Sequence, residues 1–189
     1  MEKIKFISNI LPPSTNIEII KLLTEAKWYV GVDKETNNAR YTDLISGKYY
    51  GFSYDPYNLQ NNQSNPFTNT QTRSDYELFL YGKIVFQKVC HEVNFKKAKL
   101  IRLIYNMYYP HHNTSTHTDV TSVEENLECY SILYNLHTTD GGTEVDNCFY
   151  KDQMGQAKVF LSKINHKGIG PKKDNVRFSL NILIENLKG

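Results

Sequence analysis

The stretch Val176-Arg177-Phe178-Ser179-Leu180-Asn181-Ile182-Leu183-Ile184 decides the fold. Successive side chains of a strand point to opposite faces. Val176, Phe178, Leu180, Ile182 and Ile184 therefore share one face, and Arg177, Ser179, Asn181 and Leu183 the other. The apolar face must be covered, most simply by helices. The opposite face would then look into a barrel, where an Arg is costly unless an anion meets it. The alternative is an ordinary strand with its polar face in water, and the strand alone is compatible with either orientation.

Working back from this strand, period-two patterning recurs at 101–109, 129–136, 145–150 and 157–161. The turn signals between these runs include Asp140-Gly141-Gly142, Met154-Gly155 and Gly168-Ile169-Gly170-Pro171. Five short strands with turns between them indicate a sandwich or closed β-barrel. Before residue 100 the period changes to that of helices. One helix follows Pro12-Pro13-Ser14-Thr15 and reaches about Ala26, with Thr15 as N-cap and Glu18 completing a capping box. A second runs from Ser74 or Asp75 to about Val93. Helices first and strands after predict a mainly β protein, an antiparallel barrel with the N-terminal helices packed on one sheet. The Asn-rich segment from Asp55 to Asp75 reads as a long surface loop and a candidate lid. The whole is one domain, 1–189, with a helical and loop part over 1–100 and a core over 101–186.

Composition narrows the function. The 189 residues are 40% hydrophobic and 22% charged, which suits a globular domain. The 14 Tyr and 9 Phe favour strands. A net charge of +2 argues against a dedicated nucleic-acid or membrane-surface binder. No apolar run is long enough to span a membrane, and the start lacks the apolar stretch of a signal peptide, so the expectation is a cytoplasmic protein. Cys90, Cys129 and Cys148 are too few and scattered for a disulfide framework and read as reduced thiols.

The chemistry concentrates in the second half. Four of the six His lie between 111 and 137. In His117-Thr118-Asp119 the imidazole and carboxylate stand two residues apart, so in a strand both could face one metal ion. His166 follows the strand 157–161, and the Gly- and Pro-containing return over 167–175 leads to Arg177. If the barrel closes, His166 reaches the same centre. Two imidazoles and one carboxylate make a facial triad, the ligand set of non-heme Fe(II) oxygenases, which leaves positions open for a chelating cosubstrate and dioxygen. An Arg just beyond would pair with a distal carboxylate, with Ser179 on the same face assisting. Such a ligand would supply the anion Arg177 needs. His111 and His112 read as exposed loop residues, and His137 as structural.

The motifs in order resemble the Fe(II)/2-oxoglutarate-dependent dioxygenases, and within them the prolyl 4-hydroxylase-like branch with its small phage-encoded members. They are Tyr109-Pro110 leading to His117-Thr118-Asp119, the run 130–136, Gly141-Gly142-Thr143-Glu144-Val145, the run 155–162, His166, and Arg177 to Ile182, 11 residues after His166. The resemblance covers roughly residues 95 to 186 and implies a double-stranded β-helix, or jelly-roll. It implies Fe(II) on His117, Asp119 and His166, and 2-oxoglutarate on Arg177 and Ser179, with Tyr109 or Tyr134 adding a hydrogen bond. A slip of one residue would reverse which Tyr faces the site. It further implies hydroxylation of a substrate with release of succinate and CO2, with no catalytic side chain needed beyond the metal ligands. A prolyl residue of a peptide or protein is the default substrate, a small molecule the alternative, and ascorbate a candidate reductant. A phage-encoded member would work in its host's cytoplasm. Two other readings compete: a cupin-like metal protein without 2-oxoglutarate, which would not need Arg177 and Ser179, and a non-catalytic jelly-roll binding module, in which the three ligands would not converge.

Overall fold

A computed structural model describes residues 3–26, 29–30, 51–58, 73–119, 128–173 and 176–187. Ten strands and two helices are described. The strands are β1 (Lys5–Ile7), β2 (Tyr29–Val30), β3 (Gly51–Asn58), β4 (Ala98–Tyr108), β5 (Cys129–Asn135), β6 (Gly142–Val145), β7 (Cys148–Lys151), β8 (Ala157–Leu161), β9 (His166–Ile169) and β10 (Arg177–Asn186). The helices are α1 (Pro13–Glu25) and α2 (Arg73–Val93). One sheet has seven strands in the order β1-β8-β5-β10-β4-β3-β2, and the other has three, β7-β6-β9. All pairings are antiparallel. The chain is thus mainly β, in two jelly-roll-like layers with two helices. The described strands do not close into one barrel.

The strand that decided the fold sits at the centre of the large sheet, between β5 and β4. Phe178, Leu180, Ile182 and Ile184 belong to the main core, together with Ile19 and Leu23 of α1 and Leu78, Val85 and Val89 of α2. Each such side chain contributes about 1.5–3 kcal/mol by leaving water. Arg177, Ser179 and Asn181 are also buried, on the opposite face. The inward orientation of Arg177 is the one adopted.

Four sequence expectations shift. Helix α1 starts at Pro13, with Pro12 as its N-cap and no side-chain cap bond, in place of the Thr15 cap. A proline at the first helical position has its φ preset and loses no needed N–H, and the Pro12 carbonyl accepts from the N–H groups of Thr15 and Asn16. The run 145–150 is a hairpin, not one strand: Asp146 and Asn147 adopt φ of 49° and 64° between β6 and β7. A two-residue turn with positive φ at both positions matches the twist of paired strands, and Asp and Asn tolerate it. The first 100 residues also supply strands, with β1 on β8 and β3 on β4. Three-residue β1 is too short for its alternation, exposed Phe6 and buried Ile7, to stand out in the sequence. Finally, Asp55 to Asn58 lie in β3 and Arg73 to Asp75 in α2; the rest of the Asn-rich segment lies outside the described residues.

Candidate metal centre and anion pocket

His117, Asp119 and His166 converge: one ligand atom of each lies within 4.8 Å of the others. His117 and His166 are joined by an isolated antiparallel bridge, and their rings lie 4.5 Å apart. Asp119 follows two residues on and is anchored by its N–H to the Ser162 carbonyl at 3.0 Å. His117 is the most open of the three; Asp119 and His166 are buried.

The hydrogen bonds orient these groups for a cation. Nδ1 of His117 meets the Ser115 carbonyl at 2.9 Å, and Nδ1 of His166 meets the Ile164 carbonyl at 3.0 Å. A carbonyl only accepts, so each Nδ1 carries the proton and each neutral ring keeps its lone pair on Nε2. Buried His166 Nε2 has no hydrogen-bond partner among the described residues and lies 3.4 Å from Asp119 Oδ2. On Asp119, Oδ1 accepts from Arg102 and Oδ2 from Ser131 at 2.6 Å, with Asn181 Nδ2 at 3.4 Å from both oxygens.

Burial, and then the neighbouring His166, push His117 below its ordinary range, as a neutral metal ligand requires. Burial pushes His166 the same way, but the Asp119 carboxylate and the Ile164 carbonyl more than offset it, and the net direction is up. Burial would raise Asp119, yet the Arg102 guanidinium and the two imidazoles hold it well below the carboxylate range. An orphaned imidazole nitrogen beside an ionised carboxylate, with both tautomers set by backbone, fits a divalent metal of borderline softness.

A pocket opens beside this centre, lined among others by Tyr108, His117, His166, Arg177, Ser179 and Asn181. Arg177 is 1% exposed. Its Nε donates to Asp152 Oδ2 at 2.6 Å and its Nη2 to Thr143 Oγ1 at 3.1 Å, while Nη1 has no hydrogen-bond partner among the described residues. The guanidinium carbon lies 4.5 Å from the centre of the Tyr108 ring. Part of the anion expected from a ligand is therefore built in, as Asp152.

The two tyrosines named from sequence do not line this pocket. Tyr109 is 41% exposed. Tyr134 lies in the helix-side core, with its hydroxyl on Asn16 Oδ1 at 2.6 Å. Tyr108 stands in their place: along β4 the even-numbered residues Arg102, Asn106 and Tyr108 turn toward the site, and odd-numbered Leu103 and Tyr105 toward the helices. That alternation was present in the sequence and would have chosen Tyr108 and Arg102. Nothing in the sequence pattern marked Asp152 or Lys158. Away from the site, His137 Nε2 accepts from the Phe178 N–H at 2.9 Å, a structural role. Cys90 and Cys129 are buried thiols, and Cys148 is an exposed one. No helix among the described residues is long and apolar enough to cross a membrane.

No protein-family model matches this sequence, and no curated protein sequence does. Solved structures do match. A viral collagen prolyl hydroxylase from Paramecium bursaria Chlorella virus-1, in complex with 2-oxoglutarate, aligns with TM-score 0.59 at 15% identity over 98% of this chain and 97% of that one. A 2OG-Fe(II) oxygenase family oxidoreductase from Burkholderia pseudomallei aligns with TM-score 0.68 at 12% identity, over 99% and 86%. The non-heme alpha-ketoglutarate-dependent carbocyclase SnoK of nogalamycin biosynthesis aligns with TM-score 0.67 at 8% identity, over 97% and 79%. The fold is that of the 2OG-Fe(II) oxygenases. At these identities the likeness speaks for the fold alone, and the activity is argued from the site.

Proposed function

We propose that the protein is a 2-oxoglutarate-dependent Fe(II) oxygenase that hydroxylates an organic substrate, with a prolyl residue of a peptide or protein as the first substrate to try. The observation that carries this reading is the juxtaposition of two sites: a His-Asp-His cluster and, in the adjoining pocket, a buried Arg177 with one unpartnered nitrogen. A cupin-like metal protein needs the first and has no use for the second.

Bound at this cluster, Fe(II) with 2-oxoglutarate and dioxygen would supply the oxidising chemistry: one oxygen atom goes into the succinate formed with CO2 from the keto acid, and the other into the hydroxylated substrate. The chain's part is to bind, orient and keep dry. His117 and His166 offer Nε2, and Asp119 offers Oδ2 while Arg102 occupies Oδ1 and discourages two-oxygen chelation. Arg177 takes the distal carboxylate, with Ser179 and Tyr108 as the polar groups beside it. No side chain here has to act as a general base. The lysines after His166 leave the substrate class open. So do the structural likenesses, whose names include both a collagen prolyl hydroxylase and a carbocyclase.

The test needs no substrate. Metal-free protein is mixed anaerobically with Fe(II) and then 2-oxoglutarate, and the visible charge-transfer band of a chelated keto acid is sought. A band that is lost in His166→Ala and weakened in Arg177→Ala supports metal, cosubstrate and site together. No band from folded wild type moves the reading to a cupin-like or non-catalytic jelly-roll.

A further inference from the structure

Behind Arg177 lies a second buried cation. Lys158 of β8 is 0% exposed, and its Nζ donates to Asp152 Oδ1 at 2.8 Å and to Asn135 Oδ1 at 3.2 Å. Asp152, also 0% exposed, thus divides its two oxygens between two cations, Oδ1 to Lys158 and Oδ2 to Arg177. Neither Asp152 nor Lys158 is among the residues that line the pocket. Buried charges are retained only when paired, because each costs several kcal/mol to desolvate. Two cations against one carboxylate leave this cluster one anion short.

The Arg177–Asp152 pair alone would be neutral and complete. An incoming carboxylate would then meet a guanidinium whose charge was already matched. Lys158 changes that balance by sharing Asp152. The guanidinium is held at Nε and Nη2, stacked on Tyr108, and only Nη1 is left without a partner. The fixed orientation and the surplus charge come from different residues, so they can be separated by mutation.

We propose that Asp152 and Lys158 are positioning residues for Arg177: Asp152 fixes the guanidinium, and Lys158 leaves the cluster at net +1, so that the pocket selects a keto acid with one distal carboxylate over a keto acid of the same length that ends in a methyl group. This rests on the 2-oxoglutarate reading above and assigns the basis of its cosubstrate selectivity to two residues outside the pocket wall.

The experiment compares 2-oxoglutarate with 2-oxopentanoate, which has the same chain length and no distal carboxylate. Each is titrated calorimetrically, under nitrogen, into protein loaded with Mn(II). Wild type should prefer 2-oxoglutarate. Lys158→Gln, which keeps a donor for Asp152 but not the charge, should cut that preference about tenfold or more, through weaker 2-oxoglutarate binding alone. Lys158→Arg should restore it. A role confined to folding would weaken both keto acids alike and would not follow charge. Lys158→Met makes the same charge change without the amide and decides the matter if the glutamine variant does not fold. A preference that survives in these variants overturns the proposal and leaves the cosubstrate reading standing. Wild type that binds both keto acids alike, or neither, overturns both.

Discussion

His117 and His166 hold each other by the backbone: each N–H donates to the other's carbonyl at 2.9 Å. This bridge joins two points far apart in the sequence and sets their rings 4.5 Å apart, tilted by 54°, before any ion arrives. The placement of the two imidazoles is therefore set by main-chain hydrogen bonds between β9 and the segment before Asp119, and cutting away a side chain removes neither bond.

That independence makes the first prediction sharp. Asp119→Ala and His166→Ala should both fold, with Fe(II) affinity reduced by two orders of magnitude or more and succinate formation abolished. Removing a ligand is a larger loss than the 10–100-fold typical of an outer-sphere partner. Equilibrium dialysis with Fe(II) or Mn(II) and a succinate assay check it. Near-wild-type metal binding in either variant would sink the triad.

The three tyrosines separate cleanly. Tyr108→Phe should raise the 2-oxoglutarate concentration needed for half-saturation about tenfold, the scale of one lost hydrogen bond to a charged group. Tyr109→Phe should leave it unchanged, since that side chain is 41% exposed. Tyr134→Phe should also leave it unchanged but lower stability by about 1–3 kcal/mol, because buried Asn16 Oδ1 loses its donor. Cosubstrate titrations and urea unfolding of all three decide the assignment.

The contrast between Tyr108 and the other two shows what the sequence carried. Alternation in β10 was enough to place Arg177, Ser179 and Asn181 on one face and the helix-covered residues on the other. The order of His117, Asp119, His166 and Arg177 was enough to suggest a shared site. The alternation in β4 could have excluded Tyr109, but the facing of Tyr134 was not legible: β5 is buried on both faces, and which of its residues faces inward depends on pairings set by distant strands. The internal anion was not legible either. Asp152 follows the hairpin of β6 and β7, and Lys158 is a lone cation in an apolar strand. Their partnership exists only once β7, β8 and β10 are brought together.

Acid should weaken the protein through Asp119 and Asp152, the two buried carboxylates among the described residues. Burial raises Asp152, but Arg177 and Lys158 outweigh it and hold the group below its ordinary value, and Asp119 lies lower still. An unfolded Asp titrates near about 3.9. Below that pH the unfolded chain binds more protons than the folded one, so stability falls as pH falls. The contribution is complete above the unfolded value and disappears as pH drops through the lowered folded values. Asp152→Asn should therefore cost about 3–5 kcal/mol at pH 7, where it strands two cations, and show a shallower loss below about pH 4. Denaturant midpoints at neutral and acid pH measure this, and an acid slope equal to wild type's would contradict it.

Gly168 supplies the last prediction. A Cβ at this position in β9 would come within 2.7 Å of Cε1, Cζ and the hydroxyl oxygen of Tyr108. The ring cannot swing aside easily: it is 8% exposed and packed against the Arg177 guanidinium. The backbone cannot yield easily either, because Gly168 exchanges hydrogen bonds with Thr114, N–H to Oγ1 at 2.7 Å and carbonyl from N–H at 2.9 Å. Gly168→Ala should thus push the Tyr108 ring toward Arg177 and disturb the anion pocket, at a stability cost of about 1–3 kcal/mol. His166, two residues earlier, keeps its own bridge to His117, so metal affinity should hold within about twofold while 2-oxoglutarate binding weakens about tenfold. Replacing Tyr108 by Leu in the same chain removes the clash. The double variant should then be less damaged than the sum of the two single changes, as expected for residues in contact. Additive losses would mean that Gly168 is needed for some reason other than room for that ring.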